Sequence, residues 1–287
     1  RPMAVRLLTG GHELTVWNRT PAKAEPVLAA GARWADSPRE VARISEVVFT
    51  MVTDSAAVEE VVLGPYGIIA GAHPGLIHVD TSSISPETSR MLAAREAEAG
   101  ITMLDAPVTG SVKQASDGAL GIMVGGPRET FEHCLPILRQ LGVKIVYAGP
   151  NGNGATLKLI NNLILGIAVE AISEAMVLAT KAGIDPRLVM EITTVGGART
   201  GAMESRGPRI LRRDFTPHFT TNNQLKDLTN ALQLARELGV ALPVAALTRE
   251  LYQAAQAQGK GEVDSSAIVT VLEAFSGTTV VTADPPA

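Results

Sequence analysis

Cysteine is almost absent from the sequence. The 287 residues include one, Cys134, so no disulfide can form within the chain. A low cysteine count is usual in a reducing compartment, and we expect a cytoplasmic protein. Cys134 precedes Pro136 on a predicted amphipathic helix, where we expect a core thiol.

Basic clusters are also lacking. The net charge is −4, and no run of Lys or Arg offers the basic surface that a nucleic acid needs. We therefore expect no nucleic-acid partner. The histidines lack the spacing of metal ligands, which predicts no metal site. They are His12, His73, His78, His133 and His218.

Long unbroken apolar runs are missing as well. The opening run, residues 1–8, is too short for a signal peptide. The longest apolar segment, residues 157–179, is interrupted by four polar residues, whereas a membrane span needs about 20 predominantly apolar ones. The interruptions are Asn161, Asn162, Glu170 and Glu174. We therefore expect no membrane partner.

The first half of the chain alternates between strand and helix patterns. Strands are predicted at 13–17, 47–52 and 76–80, and helices at 3–8, 22–30, 56–63 and 87–98. Segments 101–104, 120–124 and 143–147 would extend the sheet. Ser37-Pro38 and Ser85-Pro86 pair an N-cap with proline at the first helical position. This alternation predicts a doubly wound, Rossmann-type α/β fold with a parallel sheet covered on both faces.

The strand pattern ends after Gly154, and only helical segments follow. They are predicted at 155–181, 186–194, 203–212, 223–238, 244–258 and 265–274. With 46% hydrophobic residues, the chain is long enough for two domains with sizeable cores. We predict an α/β domain at 1–150 and an all-helical domain at 151–287.

The start of the long predicted helix carries the strongest chemical signal. Lys158, Asn161 and Asn162 interrupt an otherwise apolar helix and need partners if they are buried. Lys158 and Asn162 are four residues apart, so both side chains could contact one ligand. The helix dipole and burial would both lower the pKa of Lys158. Alternatively, the Lys158 ammonium reaches solvent and the asparagines cap a turn.

Polar loops follow several predicted strands, at the sheet edge where doubly wound folds bind ligands. Asn18-Arg19-Thr20 is one of them, and an arginine beside a hydroxyl suits a 2′-phosphate, which favours NADP(H) over NAD(H). Residues 80–83 and 109–111 are the others. Their hydroxyl and N–H groups would hold a cofactor and a substrate carboxylate, or merely cap helices.

One expected part of a dinucleotide fold is missing. Such a fold opens with a strand and a Gly-x-Gly-x-x-Gly turn, whereas Arg1 already lies in what resembles the following helix. Either the first strand and turn are missing from this chain or the cofactor is not bound in the usual way. We favour the first interpretation, because loss of that strand would expose the interior of the sheet.

Nearly the whole chain resembles the β-hydroxyacid dehydrogenase family, which includes 3-hydroxyisobutyrate dehydrogenases and tartronate semialdehyde reductases. The matching motifs occur in the family's order and spacing. They are Arg1-Pro2-Met3-Ala4, Asn18-Arg19-Thr20, Asp80-Thr81-Ser82-Ser83-Ile84-Ser85-Pro86, Asp105-Ala106-Pro107-Val108-Thr109-Gly110-Ser111, Gly152-Asn153-Gly154 with Lys158 and Asn161-Asn162, and Lys226-Asp227-Leu228.

The resemblance implies a role for each matched position. Lys158 is the expected general acid/base, and the nicotinamide the expected hydride donor to the aldehyde carbon of a 3-oxo acid. The expected substrate-binding residues are Thr109, Gly110, Ser111 and Asn162. The expected cofactor-binding residues are Asn18, Arg19, Thr20, Val52, Thr53, Ser83 and Lys226.

The chain departs from the family pattern at two motifs. Thr109-Gly110-Ser111 stands where the family usually has Ser-Gly-Gly, and Val52-Thr53 where it has Leu-Pro. The side chain of Ser111 would change the size of the substrate pocket. Residues 261–267 resemble the tartronate semialdehyde reductase branch somewhat more closely.

Two other functions stay open at this point. An imine reductase shares the architecture but commonly lacks a lysine at the position of Lys158. A non-catalytic dinucleotide-binding module would need neither Lys158 nor Asn162, and apolar residues there would make it more stable. We also expect a homo-oligomer, since a helix that is apolar all round needs cover on several sides.

Overall fold

The computed structural model describes residues 1–282. Contacts between Cα atoms divide the chain into two units, Arg1–Lys158 and a second unit that begins at Leu159. The division lies in the first turns of the helix that we predicted to open the second domain.

The first unit alternates strands and helices. In chain order they are α1 (Pro2–Thr9), β1 (Thr15–Val16), α2 (Glu25–Leu28), β2 (Arg33–Trp34), α3 (Pro38–Ile44), β3 (Val47–Thr50), α4 (Ser55–Leu63), β4 (Ile77–Asp80), α5 (Pro86–Glu98), β5 (Thr102–Asp105), β6 (Val108–Thr109), α6 (Val112–Asp117), β7 (Leu120–Gly125), α7 (Arg128–Leu141) and β8 (Gly142–Gly149). Two helices begin as predicted, because the hydroxyls of Ser37 and Ser85 accept the N–H groups of Glu40 and Thr88.

The main sheet has six strands. Strands β3, β4 and β5 are parallel neighbours, as predicted for a doubly wound fold. The sheet reverses direction at β7, which pairs antiparallel with β5 through Asp105 and Gly125 and antiparallel with β6. Strand β8 is parallel to β7, while β1 and β2 form a separate two-stranded parallel sheet.

Several predicted elements are shorter than expected. The predicted helix at 22–30 is broken into a 3₁₀ turn, Pro21–Lys23, and α2. Pro26 explains the break, because it has no N–H to donate to the carbonyl of residue 22, as a helix that begins at residue 22 would require. The strand predicted at 13–17 is reduced to Thr15–Val16, which pairs with only two residues. Strands β2 and β6 and helix α6 were not predicted.

Cys134 lies in the core of the first unit, on α7, and is almost fully buried. Burial raises the pKa of its thiol to about 11. Helix α7 continues through Pro136 to Leu141. The thiol therefore packs as a small apolar group rather than as a nucleophile.

The second unit is helical. Helix α8 (Asn153–Lys181) starts in the first unit, and α9 (Pro186–Ile192), α10 (Gly201–Arg212), α11 (Thr221–Glu237), α12 (Pro243–Ala255) and α13 (Val269–Ser276) follow. Short turns lie at Gln256–Lys260 and Ser265–Ile268. The core of this unit contains Val169, Met176, Leu228, Tyr252 and Ile268.

Helix α8 is long and apolar enough to cross a membrane, judged by length and composition alone. Its second half instead contributes Val169, Ile172 and Met176 to the hydrophobic core of the second unit. The buried side chains of α8 also include polar ones, Lys158 and Asn162 among them. These positions are those of a core helix in a globular domain.

Candidate active site

The start of α8 is held by a carboxylate from the sheet. Asp105, the last residue of β5, is buried and accepts the N–H groups of Gly152 and Ala155, both at 2.9 Å. Burial raises the pKa of Asp105, and the two backbone hydrogen bonds partly oppose that rise. A negative charge at this position complements the positive end of the helix dipole. The first turn of α8 is thus placed at the carboxyl end of β5.

Glycine is required for steric reasons both directly before the first turn of α8 and within it. Gly152 has a φ of +88°, which glycine adopts without strain. A Cβ on Gly154 would lie 2.5 Å from the carbonyl oxygens of Asp105 and Met123. The Gly152-Asn153-Gly154 motif therefore lets the helix approach the sheet backbone closely.

Lys158 and Asn162 occupy the next turns of α8. Only 8% of Lys158 and 2% of Asn162 is exposed, which excludes the alternative of a lysine extended into solvent. Asn161 and Asn162 lie inside the helix rather than at a cap, and the Asn161 amide donates to Asn162 Oδ1 at 2.9 Å. Two buried polar side chains one helical turn apart lie close enough on the helix surface to contact one small ligand.

Asn162 is oriented by α11. Its Nδ2 donates to Asp227 Oδ2 at 2.5 Å, and Asp227 is fully buried. Lys226 Nζ lies 3.3 Å from Asp227 Oδ1, while Gln224 Nε2 donates to the Asn162 carbonyl at 3.0 Å. The structure thus brings Asn162 and Lys226 together around one carboxylate.

The sequence did not mark Asp227 as a site residue. In the motif Lys226-Asp227-Leu228, the family resemblance implies a role for Lys226 and none for Asp227. The available signal was an acid between apolar residues on a helix, since Leu225 and Leu228 are both buried. A buried acid on such a face needs a partner, and Asn162 and Lys226 are its partners here.

The predicted substrate loop lies between β6 and α6. Gly110 has a φ of +138°, and a Cβ there would lie 2.8 Å from the Leu120 side chain. The Ser111 hydroxyl accepts the N–H of Gln114, and the Ser111 N–H donates to Gln114 Oε1. Ser111 therefore caps α6, and the Ser111 N–H is already hydrogen-bonded to the Gln114 side chain. Thr109 is the last residue of β6 and is half-buried.

The loop after β1 is exposed. Asn18 Nδ2 donates to the Thr20 carbonyl at 2.8 Å, and the Thr20 side chain accepts no capping hydrogen bond. Among residues 1–282, Arg19 makes no ion pair or side-chain hydrogen bond. An available guanidinium beside a hydroxyl is the donor set that binds a phosphate monoester, so these residues fit the phosphorylated ribose of NADP(H).

A cavity lies next to this loop. Its volume is about 570 Å³, and its lining includes Trp17, which directly precedes Asn18. Ser37, Glu60 and Tyr66 line other parts of it. The cavity is thus bounded by the ends of β1 and α4 and by the start of α3.

The loops after β3 and β4 are hydrogen-bonded to each other. The Val52 N–H donates to Ser82 Oγ at 2.9 Å, and the Thr81 hydroxyl donates to the Thr50 carbonyl at 2.6 Å. Thr53 donates to Asp54, the N-cap of α4, at 3.0 Å. Val52, Thr53 and Ser83 therefore lie on two connected loops at the carboxyl edge of the sheet. In the described part of the chain, no group of three or more His, Cys, Asp or Glu side chains is placed to hold a metal ion.

Both parts of the chain match known protein families. Residues 1–149 match the NAD binding domain of 6-phosphogluconate dehydrogenase. Residues 152–272 match the NAD-binding domain of NADP-dependent 3-hydroxyisobutyrate dehydrogenase. The chain is 39% identical over 272 residues to 2-hydroxy-3-oxopropionate reductase of Escherichia coli, and the match covers 95% of this chain and 93% of that protein.

Solved structures agree with these matches. The 3-hydroxyisobutyrate dehydrogenase of Salmonella typhimurium superposes with a TM-score of 0.86 at 28% identity, over 94% of this chain and 95% of that one. Psf3, solved with NADP+ and 2-OPP, gives a TM-score of 0.85 at 26% identity, over 94% and 95%. An imine reductase from Pseudomonas sp. shares only the fold, at 18% identity and a TM-score of 0.59, over 94% of both chains.

These matches cover both units and confirm the Rossmann-type fold followed by a helical domain. They also confirm the resemblance that the motifs indicated and the need for a nicotinamide dinucleotide. The chain belongs to the β-hydroxyacid dehydrogenase family of NAD(P)-dependent oxidoreductases.

Proposed function

We propose that the protein interconverts a short 3-hydroxy acid and its semialdehyde, with Lys158 as the general acid/base. The observation that carries this proposal is the buried pair of Lys158 and Asn162, one turn apart on α8. A cationic donor and an amide so placed can bind one small carbonyl compound. The name of the Escherichia coli relative, 2-hydroxy-3-oxopropionate reductase, supports a substrate of this size.

Lys158 supplies or accepts the proton at the substrate oxygen. Its burial removes competing water, and the capped first turn of α8 holds its backbone in place. A positioned acid or base of this kind typically contributes about 10²- to 10⁴-fold to the rate. When bound, the nicotinamide supplies the hydride chemistry.

Asn162 orients the substrate. Its amide nitrogen is already engaged by Asp227, so its side chain is held in one rotamer. Thr109 and Gly110 are the proposed partners of the substrate carboxylate, and Ser111 sets the turn between them and α6. A carboxylate would accept hydrogen bonds from the Thr109 hydroxyl and the Gly110 N–H, since the Ser111 N–H already donates to Gln114.

NADP(H) is the proposed preferred cofactor. Arg19 carries a charge that no described residue neutralises, and Asn18 and Thr20 flank it. The NADP+ in the Psf3 structure supports the same preference. Val52, Thr53, Ser83 and Lys226 are the other proposed cofactor contacts.

A homo-oligomer is proposed as the working form. Helix α8 exposes large apolar side chains on its outer face, with Ile164 61% and Leu178 71% exposed. Exposed apolar area of this kind marks an interaction surface. Light scattering coupled to gel filtration tests this, and a monomeric mass would overturn it.

The central experiment follows the absorbance of the reduced nicotinamide with the full-length protein. We expect turnover of NADPH with 2-hydroxy-3-oxopropionate or related short semialdehydes that carry a carboxylate. The panel includes a cyclic imine, and reduction of the imine alone would show that the proposal is wrong. Cofactor binding without turnover of any panel member would instead support a non-catalytic module.

Arg19→Ala tests the cofactor preference. A charge-assisted hydrogen bond to the 2′-phosphate would be lost, so the NADPH-to-NADH ratio of kcat/KM is expected to fall about tenfold or more. Arg33→Ala is the matched control, because Arg33 is exposed and pairs with Glu13 at 3.1 Å. Equal ratios in wild type and Arg19→Ala would remove the argument for NADP(H).

A further inference from the structure

Four buried polar side chains form a continuous row through the sheet of the first unit. Thr50 ends β3, His78 and Asp80 lie on β4, and Glu96 lies in the last turn of α5. Each of them is at most 5% exposed. None has a role in the function proposed above.

The contacts run from the helix to the edge of the sheet. His78 Nδ1 lies 2.7 Å from Glu96 Oε1, and His78 Nε2 lies 2.8 Å from Thr50 Oγ1. The Thr50 hydroxyl donates to Asp80 Oδ1 at 2.6 Å. The row therefore connects the far end of α5 to the carboxyl end of β4.

The proton positions follow from counting donors. The Thr50 hydroxyl has one hydrogen, which goes to Asp80, so its oxygen must accept from His78 Nε2. A proton on His78 Nδ1 then faces the Glu96 carboxylate. The row is complete when His78 carries both protons and a positive charge between the two acids.

The row ends on the loops proposed to hold the cofactor. Asp80 Oδ1 accepts the Ser82 N–H at 3.1 Å, and Ser82 Oγ accepts the Val52 N–H at 2.9 Å. Val52 and Ser83 are proposed cofactor contacts on these two loops. The Asp80 carboxylate is therefore one of the groups that hold these loops, beside the hydrogen bond from Thr81 to Thr50.

We propose that His78 and Glu96 are positioning residues for the cofactor, acting through Thr50 and Asp80 on the loops after β3 and β4. This inference rests on the proposed function only for the identity of the ligand. The row of contacts between these four side chains is present whichever ligand those loops bind.

The row is pH-dependent because its centre, the His78 imidazole, gains and loses a proton. Glu96 of α5 and Asp80 of β4 are the charged groups that act on His78. The other contacts do not titrate: they are Thr50 of β3 and Met103, which is the register neighbour of His78 on β5. Burial by itself lowers the pKa of His78, but the two carboxylates outweigh it and the net shift is upward. The Thr50–Asp80 hydrogen bond is therefore made while His78 is protonated and is lost as pH rises through the raised pKa of His78, which weakens the hold of Asp80 on the loops.

Loss of the proton rearranges the row in a defined way. Neutral His78 keeps its hydrogen on Nδ1, facing the Glu96 carboxylate, and leaves Nε2 as an acceptor. The Thr50 hydroxyl then turns to donate to Nε2 and no longer donates to Asp80. Asp80 retains only the Ser82 N–H among the donors described above.

Glu96→Gln is the first test, because it removes the charge and preserves the shape. We expect the pH at which NADPH affinity falls to move down by roughly one unit or more, as for loss of an opposite charge. At saturating NADPH, kcat is expected to stay within about twofold of wild type, since Lys158 is untouched. Glu98→Gln is the control, because Glu98 is exposed on the same helix.

Thr50→Val is the second test and removes the hydroxyl that links His78 to Asp80. Its NADPH affinity should be weak and independent of pH across the range where wild type responds. Thermal unfolding of each variant shows whether it is folded. A pH profile that coincides with that of wild type in either folded variant would overturn the proposal.

Backbone amide hydrogen exchange tests the positioning role independently of the proposed function. If wild type binds neither NADPH nor NADH, the function proposed above has failed, while the row can still be tested without ligand. The amides of Val52 and Ser82 should then exchange faster in both variants than in wild type and Glu98→Gln. Unchanged exchange at these amides would overturn the positioning role.

Discussion

The two halves of α8 differ in the side chains that they bury. The first turns, up to Asn162, are tied by Asp105 to the end of a strand and carry Lys158 and Asn162. The second half buries apolar side chains such as Val169 and Met176 in the core of the second unit. One continuous helix therefore combines a polar site with a hydrophobic anchor.

The difference between the two halves shows how a helix can keep buried polar side chains at a site. Desolvating polar side chains costs free energy unless hydrogen bonds compensate it, and Asn162 is compensated by Asn161 and Asp227. The second half of the helix is held by apolar side chains that are buried in the core of the second unit. Substitutions of the polar residues in the first half should consequently change turnover or substrate binding, whereas substitutions of the buried apolar residues in the second half should change stability alone.

Lys158→Met should have the largest effect. It preserves the bulk of the side chain and removes the proton donor, so turnover is expected to fall by about 10²- to 10⁴-fold. Cofactor affinity, measured by fluorescence titration, should not change. Lys181→Met, in the exposed last turn of α8, is the control. Retention of more than about a tenth of the wild-type rate would contradict the assigned role.

Met176→Ala tests the second half. Met176 is fully buried in the core of the second unit, so its truncation should lower the free energy of unfolding by about 2 to 5 kcal/mol. Urea denaturation measures this loss, and turnover per folded molecule should stay close to wild type. Leu178→Ala, at an exposed position, should cost little. A large fall in turnover without loss of stability would break the comparison.

Gly154→Ala tests the tie between helix and sheet. The added Cβ would lie 2.5 Å from two backbone oxygens, which cannot move aside as a flexible side chain would. We expect the free energy of unfolding to fall by about 3 kcal/mol and kcat to fall as well. Gly197→Ala is the control, because a Cβ there meets nothing within 4 Å. Equal stability of the two variants would show that α8 can shift away from the sheet.

Asn162→Ala should have a smaller effect on stability than Met176→Ala or Gly154→Ala. It leaves the buried Asp227 without its amide donor, which costs about 1 to 3 kcal/mol. The KM for the substrate should rise more than that for the cofactor. Asn230→Ala is the control on α11, since Asn230 makes no side-chain hydrogen bond among the described residues. An unchanged substrate KM would argue against contact between Asn162 and the substrate.

Local features were predictable from the sequence. Ser37 and Ser85 cap their helices as expected, because a cap depends on residues two or three positions away. The spacing of Lys158 and Asn162 likewise follows from helix geometry alone. Pro26 broke a predicted helix, and this signal was present in the sequence but was not used.

Contacts between distant segments were not predictable. Asp105 meets Gly152 across 47 positions of the chain, and Asn162 meets Asp227 across 65. No periodicity in a single segment encodes such pairs. The polarity of Asp227 signalled a need for a partner, but only the packing of α11 against α8 supplied one.

The sequence by itself determined the alternation of strands and helices, the family and the two polar positions on α8, because these depend on local spacing and on motif order. The tertiary structure alone decided that Lys158 and Asn162 are buried, that Asp105 and Asp227 are their supports, and that His78 lies between two acids. Burial and pairing arise when distant segments pack together, and their free energies depend on that packing rather than on the composition of any one segment.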